Sequence, residues 1–282
     1  MPWPFDREYM QLALAGGLVV GVCAPLIGAF LVQRRMALMG DGIGHVAFAG
    51  VAGGLLTGIW PFWTALAAAV AAALGMEHLR RRGRASGDVA LALFFYSGIA
   101  GGVVLVGLAG SMNAGVLSYL FGSILTITRG ELALIGVLGA VVVLTVAATH
   151  RPLFALVVDE EWSSVAGLPV ASLNTLVAIL AAATIVAAMR IVGILLVAAL
   201  MVLPVASGQL ISRSFRGTLV WSSVVGAGSV VAGLVAARLW ALAPGGTIVL
   251  VCAAVFVLLS VASGRRSHPG RALALRGGPR TG

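Results

Sequence analysis

Asp41 and His45 are the residues of this chain whose types and spacing most invite chemistry. They stand at i and i+4 in MALMGDGIGHVAFAG, residues 36–50, a run otherwise apolar or small, and so project from one face of a helix. A carboxylate and an imidazole on one face can share a ligand, and together they suit Zn²⁺ or Mn²⁺. The plainer alternative is that both hydrogen-bond neighbouring helices as structural glue. With a helix starting near Met36, His45 lies about 14 Å along it at 1.5 Å per residue, close to mid-bilayer. An ionised Asp near that depth costs about 3 kcal/mol, so it is expected to face a cavity or a partner.

Two ligands do not complete a metal site, since Zn²⁺ prefers four and Mn²⁺ takes more. His78 and His150 sit among arginines at expected span ends, and His268 lies near the C-terminus. Asp88 and Glu131 stand at span ends, where capping is the default role, and Asp159, Glu160 and Glu161 form a charge run. The economical solution is a symmetric dimer in which Asp41 and His45 of each copy meet at the axis. Gly40, Gly42, Gly44, Gly50, Gly53 and Gly54 would let two such helices approach; the alternative use of these glycines is packing within one chain. Cys23 and Cys252 have no metal-type or disulfide-type spacing and read as small core residues.

The elements that must position this pair are set by composition. Of the 282 residues 60% are hydrophobic and 10% charged, and the mean hydropathy is +1.09. Those values exclude a soluble domain and predict an all-α, polytopic membrane protein, because stretches able to cross a ~30 Å hydrocarbon core recur along nearly the whole chain. Expected spans are 10–32, 36–58, 62–79, 88–110, 131–149, 170–188, 191–211, 217–238 and 246–263, about nine, with eight possible. The first reads as a retained span and not a secretion signal, since MPWPFDREYM has neither a basic n-region nor a small-residue cleavage site.

On this map most arginines fall on one side, among them Arg34, Arg35, Arg80, Arg81, Arg82, Arg151, Arg213 and Arg216. The positive-inside rule makes that side cytoplasmic, with the N-terminus outside and the C-terminus inside. The formal charge of +9 then reflects loop orientation and contact with anionic lipid rather than a nucleic-acid-binding surface. Residues 265–282 read as a basic, disordered tail beyond a permease domain of 1–264.

Two connections are more than loops. SMNAGVLSYLFGSILTITRG, residues 111–130, is almost uncharged, and a re-entrant or half-length helix fits it. Asn113, Ser118 and Tyr119 there are candidate pathway-lining residues. DEEWSSVAGLP, residues 159–169, reads as a short cytoplasmic surface helix with a stop at Gly-Leu-Pro.

These pieces resemble the membrane permease subunits of bacterial zinc, manganese and iron ABC importers, most closely the zinc-uptake type. The resemblance runs from about residue 10 to 263. It is carried by RRMALMGDGIGHVAFAGVAGG at 34–54, LSYLFGSILTIT at 117–128, DEEWSSVAGLPV at 159–170 and VGILLVAALMVLPVASGQLIS at 192–212, in that order. It implies a type II ABC importer-like fold and a homodimer in the bacterial plasma membrane. It also implies two cytoplasmic ATP-binding subunits and an extracytoplasmic metal-binding protein as partners. The Asp-x-x-x-His pair of that family carries onto Asp41 and His45 as the transmembrane metal site. Its cytoplasmic coupling helix carries onto Asp159, Glu160, Glu161, Val165, Gly167 and Leu168. The metal, zinc or manganese, is transported substrate rather than a resident cofactor. This chain departs from the family in having Gly42 and Gly44 flanking the pair positions, and it lacks a histidine-rich cytoplasmic segment.

The chain contains no lysine, so it cannot form a Walker A loop, and the energy for transport must come from a partner. The rivals are an ion- or proton-coupled secondary transporter and an intramembrane metalloenzyme. The first would usually show inverted repeats with paired broken helices, and the second needs a further acid deep in the membrane beside the metal.

Overall fold

A computed structural model describes residues 5–82, 87–109, 114–123 and 127–264. All its regular elements among these residues are helices: α1 Glu8–Gln33, α2 Met39–Thr57, α3 Pro61–Arg81, α4 Gly87–Leu108, α5 Ala114–Phe121, α6 Arg129–Val158, α7 Glu160–Val165, α8 Val170–Ala188, α9 Ile194–Ile211, α10 Phe215–Trp240 and α11 Pro244–Gly264. Eight of them, α1, α3, α4, α6 and α8 to α11, are long and apolar enough to cross a membrane. The ninth long helix, α2, has 19 residues, but Asp41, His45 and its glycines dilute its hydropathy. The chain is a multi-pass membrane protein.

The buried centre is α8 together with the turn that follows it. Every residue from Leu180 to Gly193 is buried, as a helix apolar on all sides requires. Alanines dominate this stretch and let α1, α3 and α6 approach it. The helix α1 crosses α9 and α10 at glycines. A Cβ on Gly28 would lie 1.9 Å from the Met201 carbonyl oxygen, and one on Gly226 would lie 2.2 Å from that of Gly21. Large apolar side chains such as Val103, Leu144, Leu250 and Leu258 point outward, where lipid and not water is the solvent.

Three boundaries differ from the sequence expectation by three residues or more, one of them the start of α9 at Ile194 instead of 191. Instead of ending near residue 149, α6 runs through Pro152 to Val158, because Leu153 and Leu156 are fully buried and reward continuation of the helix. And α2 starts at Met39, three residues late. The end of α1 is closed by bonds from the Met36 N–H to the Leu31 carbonyl and from the Arg35 N–H to the Val32 carbonyl, with Arg35 left-handed at φ 58°. This is the pairing of a Schellman stop, with arginine where glycine is usual. The half-length helix expected within 111–130 is α5; residues 111–113 and 124–126, with Asn113, lie outside the described residues, as does the tail 265–282.

Candidate functional site

Because α2 begins at Met39, Asp41 sits in its first turn, where the exposed N–H groups of a helix start favour a carboxylate. His45 is about 9 Å along the helix axis from that start at 1.5 Å per residue, less deep than a helix starting at Met36 would place it. Both side chains are half-buried. The His45 ring stands edge-on to Phe95 of α4, with ring centroids 4.5 Å apart and planes at 79°. Among the described residues neither the Asp41 carboxylate nor the His45 ring has a hydrogen-bond or ion-pair partner, and no third His, Cys, Asp or Glu joins them in a metal-sized group. The pair therefore places a carboxylate and an imidazole, both half-buried and with unused bonding capacity, on one face of α2.

The helix that carries the pair is held by its own chain. Positions Gly50 and Gly54 meet α3, Gly42 meets Met76 and Leu91, Gly44 meets Ile185 and Ile194, and Gly40 meets Ala198 and Met201. On the remaining side α4 presses in: a Cβ on Gly98 would lie 2.6 Å from the Val46 nitrogen. The small residues of α2 thus serve packing within one chain, and the expectation that they bring the same helix of a second copy to an axis loses its support. A cavity of about 310 Å³ adjoins the start of α2, lined by Arg35, Met36, Met39, Met76, Asp88 and Leu91 among others.

The three acids of residues 159–161 have three different situations. Asp159 caps α7 by accepting from the Trp162 N–H at 2.9 Å. Glu160 turns toward the bundle, accepting from Arg34 at 2.6 Å, Asn174 at 2.8 Å and Arg80 at 3.4 Å. Burial would push the Glu160 carboxyl up, but the Asn174 amide and the Arg34 and Arg80 guanidinium groups outweigh it and hold the group below its usual range. Glu161 is exposed, as are Trp162 at 68% and Val165 at 87%, so the outer face of α7 is apolar with an acidic edge. Gly167, at φ 80°, ends the helix: its N–H bonds the Ser164 carbonyl and that of half-buried Leu168 bonds the Ser163 carbonyl. The surface helix with a glycine stop is present as the sequence indicated.

On α5, Tyr119 is buried beneath the Arg190 guanidinium, 4.6 Å from its ring centroid, and half-buried Ser118 accepts a hydrogen bond from Arg190. Both residues belong to a packed junction instead of an open wall. Sequence reasoning missed that junction, whose one legible signal was Arg190 itself, a single charge between two apolar stretches.

Comparison with known proteins agrees with this architecture. The chain is 32% identical over 253 residues to the manganese transport system membrane protein MntC of Halalkalibacterium halodurans, covering 89% of this chain and 86% of that one. It is 29% identical to the high-affinity zinc uptake system membrane protein ZnuB of Haemophilus influenzae, covering 89% and 96%. Among solved structures, PsaBC from Streptococcus pneumoniae in complex with Fab superposes with a TM-score of 0.82 at 30% identity, covering 90% of this chain and 91% of that one. The profile of the ABC 3 transport family matches residues 6–263, and on that match and this fold the chain belongs to the ABC 3 transport family.

Proposed function

We propose that this protein is the permease subunit of an importer for a divalent transition metal, zinc or manganese, and that Asp41 and His45 hold the ion in transit. The observation that carries this reading is the half-buried pair on one face of α2 whose carboxylate and imidazole have no hydrogen-bond or ion-pair partner among the described residues. A carboxylate and an imidazole left without partners inside a membrane protein are costly, and an ion in passage gives them a use. Two protein ligands, completed by water, bind a cation loosely enough to release it, which a transport site must do.

The exposed apolar face of α7, at Trp162 and Val165, supports docking of a separate ATP-binding subunit, since such a face has no task in a chain that powers itself. The complex is two permeases with two ATP-binding subunits in the bacterial plasma membrane, fed by an extracytoplasmic metal-binding protein. The test is uptake of radioactive zinc and manganese by vesicles holding the permease with its ATP-binding partner. ATP-dependent uptake that disappears in Asp41→Ala is expected. Uptake driven by a proton gradient without ATP would instead establish a secondary transporter.

A further inference from the structure

The charge network at the arginine-rich end reaches from α7 to both sides of the metal pair. Arg34, the last residue before the turn into α2, has a side chain only 8% exposed. A guanidinium so buried needs a counter-charge, and it receives one from Glu160 of α7, with the Asn174 carbonyl oxygen as a second acceptor. Glu160 is also bonded by Arg80 of α3, and Arg80 together with Arg81 is held in place by the buried Glu77. Next to Glu77 is Met76, whose methyl group occupies the space beside Gly42, the residue after Asp41. One carboxylate on a six-residue surface helix thus grips the α1–α2 turn and the end of α3, the two elements that flank the start of α2.

From this arrangement we propose that Glu160 is a positioning residue that transmits displacement of α7 to the metal-bearing helix, with Arg34 and Arg80 as its receivers; the inference rests on the transport reading above. The division of labour within the acidic run follows. Asp159 shapes the helix, Glu161, exposed and with no ion pair among the described residues, faces outward, and Glu160 alone connects it to the bundle. Apart from this tie α7 touches chiefly α6 and α8, so its direct connection to the α1–α2 turn and to the end of α3 runs through Glu160.

The experiment uses the full permease with its ATP-binding partner in vesicles, and it reads zinc or manganese moved per ATP hydrolysed. Replacing Glu160→Gln keeps shape and removes charge; metal moved per ATP should fall about tenfold, the size expected for one charge-assisted hydrogen bond, while capture of the ATP-binding subunit stays within about twofold. A second variant, Glu160→Gln with Asn174→Asp, moves the negative charge from α7 to α8. It keeps Arg34 neutralised and should recover thermal stability without recovering coupling. Coupling that returns together with stability, or loss of ATP-binding-subunit capture in step with transport, would overturn the proposal. Failure of the transport reading looks different: the unaltered complex would then show no ATP-dependent metal uptake at all.

Discussion

Arg190 and Glu131, 59 residues apart in sequence, form an ion pair at 2.8 Å with side chains only 8% and 6% exposed. Glu131 also closes a capping box with Thr128 at the start of α6, and Arg190 lies over Tyr119 of α5. The Arg190 carbonyl accepts from the Ser123 N–H, and Gly193, at φ 93°, brings its backbone against Leu120 and Phe121. The short helix α5 is thereby bound to the α8–α9 turn and to α6 by charge, ring and backbone contacts together.

Removing one member of this pair should cost much more than removing both. Arg190→Ala leaves a buried carboxylate unpaired and is expected to lose about 3–5 kcal/mol, whereas Arg190→Met with Glu131→Leu should recover most of that, less about 1 kcal/mol for the lost cap. Thermal unfolding of the purified protein in detergent measures both; equal unfolding temperatures for the single and double variants would rule the pairing out as a stabilising unit.

If Asp41 and His45 hold the ion as proposed, Asp41→Ala and His45→Ala should each bring zinc or manganese uptake to background. Capture of the ATP-binding subunit should be unchanged, because neither side chain makes a hydrogen bond or ion pair among the described residues and His45 loses only its ring contact with Phe95. Near-normal uptake by either variant in cells without other metal importers would reject the assignment.

Glycine positions on the bundle should separate sharply. A Cβ at Gly28 collides with backbone of α9, which no side-chain rotation relieves, so Gly28→Ala should cost at least ~1–3 kcal/mol and lower the folded yield. Gly136 of α6 has open space around it, and Gly136→Ala should stabilise by up to ~1 kcal/mol through helix propensity. Folded yield and unfolding temperature check the contrast, and equal behaviour of the two variants would contradict the α1–α9 contact.

The Glu160 tie has a defined pH range. Its carboxyl is held below an ordinary value of 4.5, so the group contributes stability that is fully present above that value and lost as pH falls through the lowered one. Protection of the α7 backbone from hydrogen exchange, corrected for the intrinsic rate, should therefore be flat from neutral pH down to about 4.5 and decline below it. In Glu160→Gln that acid-dependent decline should be absent; an identical decline in both proteins would place the titration elsewhere.

Much of this molecule is legible along the chain. Hydropathy places the long helices to within a few residues, the end of α6 excepted, because the solvent, lipid or packed protein, acts on each segment separately. The i, i+4 spacing puts Asp41 and His45 on one face, and Gly167 followed by Pro169 stops α7, since helix periodicity and turn chemistry are local properties. Tertiary structure alone decides the rest. It ends α1 with a left-handed Arg35 where no glycine marks a stop, and so shifts Asp41 into the first turn of α2. It assigns the α2 glycines to neighbours in the same chain. It pairs Arg34 with Glu160 across 126 residues and Arg190 with Glu131 across 59. A sequence shows that a buried charge needs a counter-charge; which carboxylate supplies it depends on how the helices pack, and that packing is a balance of contacts among segments far apart in the chain.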